Sequence, residues 1–168
     1  MIYLLRHCDK TAEAAEAPLS NTGFKQAKAI APTLATLGIK HIISSPYLRA
    51  QQSALPFAHA AGIRMETSDA LAEWRLAGEM RADWKAVLAH GLANPSVAAK
   101  GGESANDVWA RAQAVLQPTE PRLLVTHGGW LTVVLGRFGR PRSLERLLAI
   151  KSPDLFSISS ERWQAHEL

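Results

Sequence analysis

Short apolar runs alternate with segments of helical period through most of the chain. Met1-Ile-Tyr-Leu-Leu5 is brief, unbroken and rich in Ile, Tyr and Leu, the pattern of a strand buried on both faces. A polar stretch over residues 8–18 reads as a loop, and from Ser20 to about Leu37 a helix is expected, with Phe24, Ala27, Ala31 and Leu34 on its apolar face. Gly38 should end that helix, and Pro32 should kink or shorten it. Ile39 to Ser45 predicts a second strand, Tyr47 to Ala61 a second helix and Ile63 to Thr67 a third strand. From about Leu71 to Gly102 the periodicity is poor apart from a helical stretch near Arg81 to His90, so this part reads as an excursion over the strand ends. A helix over about Glu103 to Leu116 buries Val108, Ala112 and Val115, and Arg122 to Thr126 supplies a fourth strand. Gly128-Gly129 opens a helix ending near Phe138, and the stretch from Leu155 to Ser159 and on to Trp163 alternates like an edge strand or hairpin. The β-α-β-α-β order predicts an α/β fold, a three-layer α/β/α sandwich around a mostly parallel sheet.

Composition narrows the class. The 168 residues are expected to form one domain, with 47% hydrophobic and 20% charged residues, as in ordinary globular proteins. No apolar run approaches a membrane span, and the chain opens on a strand rather than a basic leader, so a cytoplasmic location without membrane association is expected. The single cysteine, Cys8, excludes an intrachain disulfide. A net charge of +4 and a pI near 9.5 fit a small anionic substrate better than nucleic acid, because no basic run interleaved with aromatics accompanies them.

The candidate chemistry follows the strands. Arg6-His7 ends the first, Ser44-Ser45-Pro46-Tyr47-Leu48-Arg49 follows the second, Leu71-Ala72-Glu73-Trp74 carries an acid, and Thr126-His127-Gly128-Gly129 ends the fourth. The carboxyl ends of parallel strands share one edge of the sheet, where ligands bind, so both histidines and both arginines can meet there. Two arginines and two histidines make a cage for a dianion, since the planar guanidinium offers charge-assisted, bidentate hydrogen bonds. The two glycines before a helix permit close backbone approach, and a nearby carboxyl group can protonate a leaving alcohol.

Leu5-Arg6-His7, the stretch Pro18 to Ala27, Ser44-Ser45-Pro46 through Arg49 to Ala54, Gly101-Gly102-Glu103-Ser104 with Asp107 and Arg111, and Val125 to Gly129 together resemble the histidine phosphatase superfamily, which includes the phosphoglycerate mutases. The motifs come in the family's order over roughly residues 1–136. The resemblance implies a phosphoglycerate mutase-like fold and a phosphatase acting on phosphate monoesters of small metabolites, with no metal or other cofactor. It also implies His7 as the nucleophile that forms a phosphohistidine, Arg6, Arg49 and His127 as holders of the phosphoryl oxygens, and Glu73 as the acid. Neutral His7 would need one ring nitrogen free to attack and the other held by an acceptor such as a backbone carbonyl.

Several positions depart from the family's pattern. Cys8 stands where glycine is usual, and a small residue of this kind is expected in the core. Lys10 belongs to an altered loop and is either a substrate contact or a solvated lysine, and Glu13 replaces a phosphate-contacting Asn of mutase-like members. The tryptophan-glutamate-glycine element usual beyond the acid is degraded to Gly78-Glu79-Met80-Arg81, and Glu79 and Glu103 compete with Glu73 for the acid role. Alternative readings are a mutase-type phosphoryl transferase and a non-catalytic phosphate-binding protein on the same fold. A cysteine phosphatase would need Cys-x5-Arg, but Ala14 lies six residues after Cys8, and a magnesium-dependent aspartate phosphatase would need Asp-x-Asp, but Thr11 stands two residues after Asp9. No metal-binding spacing occurs. The short chain leaves little material for a lid over a stable phosphoenzyme, so water is the expected phosphoryl acceptor. Oligomeric state and the natural substrate are left open by the sequence.

Overall fold

The structure, a computed structural model, describes residues 1–79, 82–117, 120–159 and 162–168. Six strands join one sheet: β1 (Ile2–Arg6), β2 (His41–Ser44), β3 (Met65–Thr67), β4 (Arg122–Thr126), β5 (Asp154–Ser159) and β6 (Arg162–His166). Their order is β3-β2-β4-β1-β5-β6. The first four are mutually parallel, and β5 and β6 form an antiparallel pair beside β1. The mostly parallel α/β architecture is thus the one the pattern predicts, with the last alternating stretch paired as two strands. Ser160 and Glu161, between those strands, lie outside the described residues.

The helices are α1 (Asn21–Ala35), α2 (Leu48–Ala61), α3 (Trp84–Ala93), α4 (Ala105–Ala112), α5 (Gly128–Leu135) and α6 (Leu144–Leu148). Alternation along the strands assigns the two faces. Tyr3, Leu5, Leu123 and Val125 pack with α1 and α2 residues such as Ala27, Leu34, Ala54 and Phe57. Ile2, Leu4 and Leu124 pack with Trp130, Leu131 and Val134 of α5, Val108 and Ala112 of α4, and Leu88 of α3. These are the three expected layers.

Some expectations need correction. Phe24 is 43% exposed, and α1 instead buries Gly23, Ala27, Ile30 and Leu34, because Gly23 presses against the Asp9 carbonyl and turns the helix by one position. A Cβ at Gly23 would collide with that oxygen. Pro32 stands in the last turn, where few N–H bonds follow it, and α1 continues to Ala35, two residues short of the expected end. The helix expected near Arg81 to His90 lies at Trp84–Ala93 instead, and its expected start at Arg81, like Met80 of the degraded element, is outside the described residues. The helix expected to reach Leu116 stops at Ala112, although Val108, Ala112 and Val115 are all buried as expected. The five-residue α6 has no counterpart in the sequence pattern, because its single turn offers too short a period to read. Among the described residues, no helix is long and apolar enough to cross a membrane.

Candidate active site

Register brings the site together. Because β1 and β4 are adjacent, parallel and aligned Arg6 to Thr126, the next residues, His7 and His127, emerge side by side. The His7 amide still donates to the Thr126 carbonyl at 3.0 Å, which carries the pairing one residue past the strand. The two imidazole centroids are 5.0 Å apart and meet edge to face. On the other flank of β4, the Ser45 amide donates to the Val125 carbonyl at 2.8 Å, placing Ser45 beside His127. Strand alternation then turns His7 and His127 toward the α2 side, where Arg49 comes from the first turn of α2, and Arg6 toward α5.

The His7 ring is held by hydrogen bonds at both nitrogens. Nδ1 lies 2.7 Å from the carbonyl oxygen of Cys8, so Nδ1 carries the proton and donates it there. Nε2 is thereby left with a lone pair, and the Arg49 Nε–H donates to it at 3.3 Å. Burial lowers the His7 pKa from its ordinary 6.5 to about 3; the positive charges of Arg49, Lys10 and Arg6 push the same way and the Cys8 hydrogen bond opposes them. The imidazole is therefore neutral near pH 7.

His127 is fully buried and its pKa also lies well below the ordinary value, first because of burial and then through His7 and the same cations. Its Nε2 is 2.7 Å from the Ser45 hydroxyl, which also accepts the Tyr47 amide. Its Nδ1 has no hydrogen-bond partner among the described residues, and neither does the buried Nε of Arg6. The guanidinium of Arg6 donates from Nη1 to the Ile150 carbonyl and packs on Gly128. Arg49, only 2% exposed, donates from Nη1 to the carbonyls of Ala14 and Glu13 and stacks over Tyr47. The two imidazoles thus sit near two fixed guanidinium groups, and His127 Nδ1 and Arg6 Nε are buried polar atoms without partners among the described residues.

Glu73 reaches this point by a different route. It comes from the far flank of the sheet, after β3 and a single turn at Asp69–Leu71, and its segment is pinned over the end of β4 by side chains. Thr126 donates to the Leu71 carbonyl at 2.8 Å, Trp130 Nε1 to the Ala70 carbonyl at 2.8 Å, and Arg111 to the carbonyls of Ala70 and Glu73. The Glu73 carboxylate then accepts the N–H groups of Gly129 and Trp130 at 3.2 and 3.0 Å and of Trp74 at 2.8 Å. It caps α5, whose N-cap residue His127 makes no side-chain cap. Gly129 makes this approach possible, since a Cβ at that position would sit 2.7 Å from Glu73 Oε1.

The structure therefore gathers Arg6, His7, Lys10, Glu13 and Glu73, with Gly128 and Gly129, around a cavity of about 210 Å³. Arg49 and His127 contact His7 from behind it. Of the competing acids, Glu103 is engaged in a salt bridge to Arg111 at 2.9 Å and accepts the Arg75 amide, while Glu79 lines a neighbouring cavity. Lys10 faces the site and is paired with Glu13 at 2.9 Å. Cys8 points away into the α1–α2 core, where its backbone N–H donates to Ser53 and burial pushes the thiol up to about 11, so it does not crowd the cavity. The hydroxyl of Ser45 as the partner of His127, and Arg111 as the strut beneath Glu73, carry no sequence signal of these roles beyond their places in the motifs.

A family comparison matches residues 2–167 to the histidine phosphatase superfamily (branch 1). Among curated proteins, the "Probable phosphoglycerate mutase GpmB" of Yersinia pestis (strain Pestoides F) is 29% identical over 179 aligned residues, covering 92% of this chain and 82% of that protein. Among solved structures, a mycobacterial glucosyl-3-phosphoglycerate phosphatase superposes with a TM-score of 0.73 at 22% identity, covering 98% of this chain and 95% of the other. A phosphoglycerate mutase from Thermus thermophilus does so with a TM-score of 0.74 at 20% identity, covering 99% and 98%. These structural likenesses concern the fold, which is phosphoglycerate mutase-like. With the family match running from the first strand to the last, the chain belongs to the histidine phosphatase superfamily.

Proposed function

We propose that the protein is a phosphatase that hydrolyses phosphate monoesters of small metabolites through a phosphohistidine on His7. The observation that carries this reading is the His7 ring itself: neutral, with its Nδ1 proton committed to the Cys8 carbonyl and its Nε2 lone pair directed at a cationic cage. In the first step Nε2 forms a bond to phosphorus as the ester P–O bond breaks, and Glu73, entering the step as the carboxylic acid that the second step regenerates, delivers a proton to the departing alcohol oxygen. In the second step Glu73 takes a proton from water, the water oxygen bonds to phosphorus, and the P–N bond breaks to release phosphate. Arg6, Arg49 and His127 hold the phosphoryl oxygens, and these fixed donors stabilise the charge spread over them in the transition state. A Ser45 hydroxyl donating to His127 Nε2 leaves Nδ1–H of that ring as a phosphoryl donor. No step calls for a metal.

A mutase reading is favoured by the curated relative named as a probable phosphoglycerate mutase. Against it, Lys10 at the cavity is already paired with Glu13, so this lysine is not free to hold a second anionic group. Hydrolysis of an aryl phosphate, measured with and without chelator, tests the proposal: chelator-insensitive turnover that vanishes in His7→Ala supports it, and normal activity in that variant refutes it. Interconversion of 2- and 3-phosphoglycerate faster than phosphate release would favour the mutase.

A further inference from the structure

Beside the phosphoryl cavity lies a larger one of about 570 Å³, and the two share Glu13, Trp74, Leu76 and Trp84. Its other walls include Tyr47, Ala77 and Val87, so aromatic and aliphatic side chains dominate it. Trp84, the first residue of α3, is 39% exposed although it lines both cavities, an unusual cost for the largest apolar side chain. Tyr47 is held in place from the cage side, edge to face against His127 at 4.8 Å and beneath Arg49. The charged positions are balanced. Among the described residues lining the larger cavity, Glu13 and Glu79 face a single cation, Arg75, and Lys10 next door is already paired with Glu13. The wall thus has no surplus positive charge for a second anionic group, and it has more room than a three-carbon acid fills.

We infer that the alcohol portion of the substrate carries a ring and no carboxylate, and that it packs against Trp84 and Tyr47 while its phosphate sits in the cage. This rests on the phosphatase reading above. The vicinity of the two tryptophans and the tyrosine offers stacking surface, and with Lys10 paired to Glu13 and Arg75 matched by Glu79 no cation is left over on this wall for a carboxylate of the alcohol.

Three alkyl phosphates, 2-phenylethyl phosphate, glycerol 3-phosphate and 3-phosphoglycerate, have leaving groups of similar basicity, so their kcat/KM values compare recognition of the alcohol rather than its chemistry. Orthovanadate inhibition is measured in parallel as a probe of the cage alone. The expected order is 2-phenylethyl phosphate first and 3-phosphoglycerate last, with about tenfold or more between them. Trp84→Ala should erase roughly tenfold of the advantage while leaving the vanadate inhibition constant within about twofold. Equal or better turnover of 3-phosphoglycerate, or a ratio unchanged in Trp84→Ala, overturns the inference, as does vanadate binding without turnover of the ring-bearing ester. No turnover of any ester together with no vanadate binding overturns the phosphatase reading as well.

Discussion

The two sides of the site are built by different means. The histidine side, with Arg6, His7, Ser45 and His127, hangs directly from strand ends whose register is set by five successive pairings of β1 with β4 and four of β2 with β4. The acid side, the described residues from Ser68 to Glu103, has almost no strand pairing beneath it and is held by isolated backbone bonds, such as Ser68 to Ser44 and Glu103 to Arg75, and by separate side-chain bonds: Thr126 to Leu71, Trp130 to Ala70, Arg111 to Ala70 and Glu73, and Trp74 to Glu103. A sheet edge fixes positions cooperatively, since a one-residue slip would turn every side chain to the wrong face. A strapped excursion depends on each strap. The histidine side should therefore fail only when its own chemistry is removed, whereas the acid side should fail by misplacement when distant residues change.

The largest effect expected is on the histidine side. His7→Ala should lower kcat by at least about a thousandfold while the far-ultraviolet circular dichroism spectrum stays that of the native fold; a loss of only a fewfold would remove His7 from the centre of the site. Next comes Gly129→Ala, whose new Cβ would collide with Glu73 Oε1. It should reduce kcat by about a hundredfold, the scale of an ångström's displacement of a reacting group, with vanadate inhibition little altered. Wild-type kcat in that variant would mean that the placement of Glu73 is not critical.

The buried histidines also tie stability to pH. The unfolded chain protonates His7 near 6.5 and the folded chain only near 3, so between those values the unfolded state binds more protons and stability falls as pH falls. The loss from His7 between pH 6.5 and 5 should be about 2 kcal/mol, and His127, shifted the same way, adds to it. Denaturant midpoints in phosphate-free buffer should show a shallower pH dependence in His7→Asn; parallel curves would contradict the neutral ring. On the acid side, Arg111→Leu should lower kcat about tenfold by loosening the Glu73 backbone, with a rise in local amide exchange over residues 69–75 that a change confined to α4 would not produce. The smallest effect is expected at Cys8→Ala, about 1 kcal/mol of stability and activity within about twofold, read from thermal melts and initial rates.

The same contrast explains what the sequence could reveal. Apolar runs ending in Arg6-His7 and Thr126-His127 are legible because strand period and parallel order dictate where the following residues emerge, and the three layers follow from the alternation of β and α patterns. In the sequence Glu73 is favoured over Glu79 and Glu103 only by its spacing after Arg49 and by the preceding Leu71, and the geometry that distinguishes it, a carboxyl group capping α5 through Gly129 and Trp130, depends on contacts across 56 and 57 positions of chain. The Cys8 carbonyl as the acceptor for His7 is open at the level of sequence, since any nearby carbonyl satisfies the same requirement. Phe24 misleads because spacing cannot register that Gly23 must touch the Asp9 carbonyl. Short elements such as α6 are illegible because one turn carries no period.

The central claim is that His7 Nε2 becomes covalently phosphorylated. Rapid quenching of the enzyme with a fast aryl phosphate, followed by peptide mass spectrometry under alkaline conditions, reads this directly. The account predicts an acid-labile, alkali-stable phosphoryl group on His7 that forms within one turnover and is absent from His7→Ala. A phosphoryl group on another residue, or full single-turnover hydrolysis with His7 unmodified at every quench time, would contradict it.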